Sequence, residues 1–428
     1  MDGHVGCNPL TLYTVPMQAV LLAAGASSRM WPVADGFHKS LIVLMGKPLI
    51  QWTIESLQRI GVTDVIIVQG PDKKVEIALT QAVLSVHIHY VEQSDPKGMG
   101  DALLQTESLL EDQFLLLHPY RFDADELITP VLETATSTNA TAVLTTQETD
   151  QPWNYGILSV DGDRATSLIE KPEQGKEPSN LRVTGIYYLP KTILDDYRSV
   201  PEAEYAFEDA LDICIKRDDV RVVHYDQPIA PLKHPWDVLN IAEALVKREL
   251  KETFIHPTAE IDETAVVKGP VHIGPNVRIF EHAVVKQSFL GEGCIVGTGS
   301  LVRESTILEE KVLIGAHCEV ARSLFGPGST THSGFFGDSI FCEEAKAGAG
   351  TITANVRVDR KQIYTKVKDK RTPTGLTSLG AIIGAHTHLG INTMLMPGVL
   401  IGSDCLVGPG AIAQGSIPSK ARYFERTL

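Results

Sequence analysis

"VHIGPNVRIFEHAVVKQSFLGEGCIVGTGSLV", residues 271–302, decides the fold of the second half of this chain. Ile273, Ile279 and Val285 recur every sixth residue; after a slip of one, Leu290, Val296 and Val302 resume the count. A helix of 3.6 residues per turn cannot hold an aliphatic on one face at a strict period of six. Three short strands per coil can, because each aliphatic then points inward and stacks on its equivalent one coil away. The period extends outward in both directions. Ile255, Ile261 and Val267 precede it, Leu308, Ile314 and Val320 follow, and Ile383, Leu389, Leu395, Ile401 and Val407 form a later run. Gly often follows the aliphatic, as at Gly274, Gly291, Gly297 and Gly315, and small residues such as Ala259, Ala265, Ala283, Cys294 and Ser300 sit four positions on. The pattern predicts a hexapeptide-repeat parallel β-helix over 253–428, with 321–340 and 356–378 expected to leave the prism as loops.

Before residue 253 the pattern changes to strand–helix alternation. "MQAVLLAAG" (17–25), "DVIIVQG" (64–70), "IHYVEQ" (88–93), "FLLLH" (114–118) and "TAVLTTQ" (141–147) read as strands, and "LIQWTIESLQRIGV" (49–62) and "KVEIALTQAVL" (74–84) as helices. That alternation predicts a doubly wound, mostly parallel α/β domain over 17–232. "PWDVLNIAEALVKREL" (235–250) keeps Ile241, Leu245, Val246 and Leu250 on one face and reads as a linking helix, within a link spanning 233–252. Residues 1–16 read as a loose extension without the basic start and apolar block of a signal peptide.

The chain has 428 residues, 38 basic against 53 acidic, for a net charge of −15. That balance argues against nucleic acid or an anionic membrane as partner. There is no apolar run long enough to span a bilayer. Six scattered cysteines, none in a CxxC pair, argue against a zinc site and against a disulfide framework. A cytoplasmic protein is expected.

Several motifs carry chemistry. "LAAGASSRM" (22–30) is a strand entering a small-residue loop, where backbone N–H groups can approach phosphate and an Arg adds charge. "HKSLIVLMGKPLI" (38–50), "EQSDPKGMGDAL" (92–103), "NYGIL" (154–158) and "IEKP" (169–172) follow in order. In the second half stand "THSGFFGDS" (331–339), "AGAGTITANVRVD" (347–359) and the basic "DRKQIYTKVKDKR" (359–371). Together these resemble the bifunctional N-acetylglucosamine-1-phosphate uridylyltransferase/glucosamine-1-phosphate acetyltransferases, and more closely their archaeal-type sugar-1-phosphate nucleotidylyltransferase relatives, over roughly residues 17 to 418.

The resemblance implies roles. Leu22, Ala23, Ala24, Gly25, Arg29 and Lys39 would contact the nucleotide and its phosphates, Gln93 would read the base edge, and Gly98 would let the chain pass close to it. Gly156, Glu170 and Lys171 would surround the sugar. In the β-helix, His332 would act as general base on an amine, Asn355 would bond substrate or the oxyanion, Ala349 would lie near the thioester of acetyl-CoA, and Arg322, Lys366 and Lys368 would hold acetyl-CoA or substrate phosphates. Acetyl-CoA is the expected co-substrate and a homotrimer the expected assembly. The chain also departs from the family pattern. Tyr120 and Pro231 stand at the two positions where carboxylates would hold Mg²⁺, so no metal ligand is expected there. Val183 replaces a sugar-side Asn, Phe335 a Tyr, and Ala321 a Lys with Arg322 beside it. Three readings stand. One is an amino-sugar-1-phosphate acetyltransferase whose first domain binds nucleotide or sugar nucleotide but is impaired in metal-dependent transfer, Mg²⁺ mattering only if transfer is retained. The second is a working bifunctional enzyme. The third is a non-catalytic sugar-nucleotide-binding subunit.

Overall fold

A computed structural model describes residues 17–368 and 370–424; the expected extension over 1–16 lies outside them. The chain divides into two compact units. Unit 1 holds residues up to 26 and 48–229, and unit 2 holds 27–47 and 230–428. The division does not follow the linear boundaries at 232 and 253: the segment after the small-residue loop belongs with the β-helix unit.

Unit 1 is built on a nine-stranded sheet. Its strands are β1 (Met17–Ala23), β2 (Val62–Gln69), β3 (His87–Glu92), β4 (Gln113–Leu117), β5 (Ala142–Glu148), β6 (Gly156–Asp161), β7 (Arg164–Glu170), β8 (Leu181–Pro190) and β9 (Val220–His224). Their order in space is β3-β2-β1-β4-β8-β5-β9-β7-β6. The doubly wound expectation holds for β3-β2-β1-β4, which pair in parallel. Beyond β4 the sheet is mixed, with β9 parallel to β5. Strand β8 enters antiparallel between β4 and β5, and β6–β7 is an antiparallel hairpin. Burial explains the sequence of β4. Phe114, Leu115, Leu116 and Leu117 are each at most 2% exposed, so both faces are covered and no alternation is needed. Helix α1 (Leu49–Arg59) lays Leu49, Ile50, Ile54 and Leu57 into the core at helical spacing. Each such side chain stabilises by roughly 1.5–3 kcal/mol on burial.

In unit 2 the β-helix winds through three parallel sheets of nine, nine and eight short strands, a left-handed prism. Each sheet contributes one inward column. The first runs Ile255, Ile273, Leu290, Leu308, Phe325, Phe341, Ile383, Ile401 and Ile417. The second includes Ile261, Ile279, Val296, Ile314, Thr331, Ala347, Leu389 and Val407. The third runs Val267, Val285, Val302, Val320, Phe336, Thr353, Leu395 and Ala413. Every six-residue aliphatic read from the sequence therefore lies on an inward column.

One expectation fails. Residues 321–340 do not leave the prism; they carry the strands Leu324–Phe325, Thr330–Thr331, Gly334–Gly337 and Ile340–Phe341. The inward positions persist, but at shortened spacing and filled by Phe325, Thr331, Phe336 and Phe341, so an aliphatic count misses them. Phe325 and Phe341 stack at 4.6 Å and 5°, the separation of neighbouring strands, and Phe336 meets both edge-on. The second interruption does project, as the hairpin Tyr364–Val367/Lys370–Pro373.

The first sheet is also apolar outward. Ile307, Leu324, Ile340, Ile382 and Leu400 are at most 4% exposed. Leu324 and Ile340 line a cleft of about 240 Å³ together with Val33, Phe37, Leu41 and Ile42 of the 27–47 segment. That segment is tied down by Trp31, whose indole N–H donates to Ser419 Oγ at 3.2 Å. Paired aliphatics such as Ile307-Leu308 and Ile382-Ile383 are the sequence signal for a sheet covered on both faces. The helix Asp237–Glu249 matches the expected linking helix and buries Val238, Ile241, Leu245 and Val246.

Candidate functional site

The β-helix carries a polar network at the end of strand Gly334–Gly337. Asp338 is 6% exposed. Its Oδ1 accepts from Arg322 Nε at 2.6 Å, and its Oδ2 accepts from Arg322 Nη2 at 3.0 Å, Asn355 Nδ2 at 2.6 Å and Ser378 Oγ at 2.6 Å. Glu304 closes on the remaining Arg322 nitrogen. Burial alone would raise the Asp338 pKa. The Arg322 guanidinium, then Ser378 and Asn355, outweigh it and hold the carboxyl below the usual carboxylate range. Arg322 and Asn355, singled out from sequence as ligand contacts, are therefore bonded to each other's partner. Asp338, inside the "GDS" of 337–339, was the residue sequence reasoning left without a role. Its signal was a carboxylate following the strand in the same motif as His332.

His332 sits at the other end of that strand. It follows the inward Thr331, is exposed, and its backbone N–H donates to Ala347 O at 3.0 Å. Ala349 thus lies on the neighbouring coil at the same corner. Gly315 makes the corner possible from the coil before, since a Cβ there would overlap the His332 carbonyl. Phe335 and Ile352, outward neighbours in register, separate His332 from Asn355. Four residues of strand span roughly 13 Å at about 3.3 Å each, so a ligand meeting both ends must be extended. The basic hairpin closes at the Val356–Ser378 bridge, next to Asn355 and Asp338. It sets Lys366 opposite Arg371, with Arg371 over the Tyr364 ring at 4.2 Å and Lys368 at the turn.

In unit 1, β1 ends at Ala23; Leu22 and Ala24 are half-buried, and Gly25 is exposed in the loop beyond. Gln93 is 4% exposed and donates to Asp101 Oδ2 at 2.6 Å. Gly98 has φ +113° and precedes the helix Met99–Leu104. On the β6–β7 hairpin Gly156 pairs with Glu170, and a Cβ on Gly156 would approach Glu170 Oε2 to 2.7 Å. Lys171 donates to the Tyr205 hydroxyl at 2.7 Å.

The tip of β4 carries no carboxylate. The His118 and Tyr120 rings stack at 5.1 Å and 8°, and Tyr120 is 6% exposed. His118 occupies space that Gly185 leaves open, since a Cβ there would stand 2.6 Å from His118 Nε2. The nearby acids are committed elsewhere. Asp123 is held by Arg121, and Asp125 by Ser56 at 2.8 Å and Arg59 at 2.6 Å. These donors do not suit a hard divalent cation, which wants unshared carboxylate oxygens.

In unit 2, Arg29 is exposed and Lys39 is half-buried, donating to Leu232 O at 2.7 Å, the residue after Pro231. Burial, then the charges of Arg29 and Lys233, bring the Lys39 pKa down to about 8, with Asp237 opposing. Asp237, the first residue of the linking helix, ties down the turn before it: its Oδ2 accepts from the backbone N–H groups of Lys233 at 2.7 Å and His234 at 2.8 Å. Among the described residues no group of three or more His, Cys, Asp or Glu could hold a metal ion.

The nucleotidyl transferase family profile matches residues 18–227, the GMPPB C-terminal domain profile matches 250–372, and the bacterial transferase hexapeptide (six repeats) profile matches 380–412. A bifunctional sugar-1-phosphate nucleotidylyltransferase/acetyltransferase of Sulfurisphaera tokodaii is 30% identical over 94% of this chain and 98% of its own. A "Bifunctional protein GlmU" of Methanocaldococcus jannaschii is 28% identical over 96% and 98%. Among solved structures, a UDP-glucose pyrophosphorylase from Acinetobacter is 21% identical over 55% of this chain and 95% of that one, with a TM-score of 0.47.

Proposed function

We propose that this chain, which belongs to the bifunctional sugar-1-phosphate nucleotidylyltransferase/acetyltransferase family, transfers acetyl from acetyl-CoA to an amino sugar 1-phosphate on its β-helix. The observation that carries the reading is the Asp338 network, which fixes Asn355 beside a basic hairpin and one strand away from an exposed His332. In this reading His332 takes the proton from the acceptor amine as its nitrogen attacks the thioester carbonyl. The C–N bond forms, the C–S bond breaks, and the CoA thiolate leaves and is protonated. Asn355 has its Nδ2 committed to Asp338, so its carbonyl oxygen is the atom turned to the ligand, an acceptor rather than an oxyanion donor. Lys366 and Lys368 neutralise phosphate.

Unit 1 binds a nucleotide or sugar nucleotide, and metal-dependent nucleotidyl transfer is impaired. The stacked His118–Tyr120 pair and the committed Asp123 and Asp125 support this. The chain acts as a homotrimer; the exposed Val266, Ile352, Met394 and Ile412 on the outer face of the third sheet favour burial against another copy. The described cysteines are free thiols, which suits the cytoplasm. The test is thiol release from acetyl-CoA with glucosamine 1-phosphate and galactosamine 1-phosphate, beside pyrophosphate release across several nucleoside triphosphates with Mg²⁺. His332→Ala should lower the first rate about 10²-fold or more. Thiol release at background with both sugars refutes the acetyl reading, and robust pyrophosphate release refutes the impairment.

A further inference from the structure

Glu309 of the β-helix is a buried carboxylate that none of the chemistry above uses. It is 2% exposed, follows the inward Leu308, and its backbone N–H donates to Phe325 O at 2.9 Å, so its position is set by the coil. Its Oε2 accepts from the backbone N–H of Gly46 at 2.8 Å, and the Met45 N–H also bonds the carboxylate. Met45 and Gly46 are the two tip residues between strands Val43–Leu44 and Lys47–Pro48, with φ of +54° and +78°. Positive φ at both tip residues is the signature of a tight type I′ turn, and a non-glycine such as Met45 adopts it only when its surroundings hold it there. The other carboxylate oxygen, Oε1, is buried without a hydrogen-bond partner.

That arrangement is expensive as pure structure. Burying a carboxylate with one oxygen unsatisfied is destabilising in a way an apolar side chain would avoid. What the side-chain oxygen supplies is directional: an acceptor for adjacent backbone N–H groups at one turn tip. The turn closes the same segment that begins with Arg29 and carries Lys39, whose ammonium is held at Leu232 O. The Gly46 in the "GKPLI" motif therefore has a local reason in this chain, since its N–H and its φ both serve the contact with Glu309.

We propose that Glu309 is the positioning residue of the Lys39-bearing segment, seating the Met45–Gly46 turn on the β-helix so that Lys39 is held ready for a nucleoside triphosphate or sugar nucleotide phosphate. The inference rests on the reading of Lys39 as a phosphate contact. It gives the β-helix a structural role in holding the Lys39 segment, beyond its acetyl chemistry.

The test uses the full chain with Glu309→Ala, Glu309→Asp and Glu309→Gln. Backbone hydrogen exchange is followed in peptides covering 39–47, and the affinities of ATP, UTP, GTP and dTTP are measured by calorimetry. Glu309→Ala should speed exchange of these amides about tenfold or more and weaken the tightest-binding triphosphate about fivefold or more. Glu309→Asp, which keeps the carboxyl group but shortens the reach, should behave likewise. Glu309→Gln, whose amide oxygen accepts from the same N–H groups, should stay within about twofold of the parent. Thiol release should be unchanged in all three, which reports an intact β-helix. Exchange in Glu309→Ala and Glu309→Asp equal to the parent overturns the inference. Faster exchange with triphosphate affinity no different from the parent keeps the anchor and overturns the assignment of Lys39 to phosphate.

Discussion

Replacing Asp338 by Asn isolates what the carboxylate does, because shape and burial are nearly conserved. In the native network Asp338 receives two bonds from Arg322 and one each from Asn355 and Ser378. An Asn at 338 presents one oxygen and one NH₂, so at least one of these donors faces another donor. Arg322 keeps Glu304, and its side chain is 39% exposed, so its share of the loss is largely screened. The Asn355 bond is better shielded, and losing a hydrogen bond to a charged group costs about 1.5–3 kcal/mol. Total destabilisation should be about 1–3 kcal/mol, read as a lower urea midpoint. The activity effect should exceed this. The cheapest repair is rotation of the Asn355 amide, which turns NH₂ where the carbonyl oxygen faced the acceptor. A misplaced polar group of that kind costs on the order of 10²-fold in kcat/KM, about 2.7 kcal/mol. Thiol release with glucosamine 1-phosphate measures it. The sign with pH also follows. The Asp338 pKa is depressed in the folded state, so its contribution is present above the unfolded carboxylate range and is lost only as pH falls through the lowered value. The gap in stability between parent and variant should therefore be flat from pH 5 to 8. An Asp338→Asn protein with kcat/KM within twofold of the parent would refute the argument that Asp338 orients Asn355.

Further outcomes can be checked. Burial, then Lys39, lowers the His38 pKa to about 3, while its Nδ1 accepts from Ser40 N–H. The folded state resists protonation, so stability is full above about 6.5 and falls as pH drops toward 3, by at most about 1.4 kcal/mol per pH unit. His38→Asn, which can still accept from Ser40, should flatten that slope in urea titrations at pH 4–7; an unchanged slope would assign the titration elsewhere. Phe341→Ala opens the aromatic stack with Phe325 and Phe336 and should cost about 3–5 kcal/mol by urea unfolding. A loss under 1 kcal/mol would mean the column closes around the gap.

The inward columns of the β-helix were legible because a period of six admits one structure and spans many coils. The strand–helix alternation was legible for the same reason, a period matched to a backbone. The stretch 321–340 was not, because Phe325, Thr331, Phe336 and Phe341 hold the inward positions at a shortened spacing, and only neighbouring coils decide that Thr or Phe can face in. In the site, His332 and Asn355 were readable as residue types in motifs. That Asp338 holds Asn355 was not, since its other partners Arg322 and Ser378 come from different points in the chain. Missing carboxylates at Tyr120 and Pro231 could be seen in one dimension; that Asp123 and Asp125 are already bonded could not. The chain's order alone thus determined the repeat, the α/β half and the chemical inventory, because these depend on local periodicity and residue identity. Tertiary structure decided which acids are free to act, which strand ends carry the polar groups, and that residues 27–47 pack with the β-helix unit, because each depends on contacts between residues far apart in sequence.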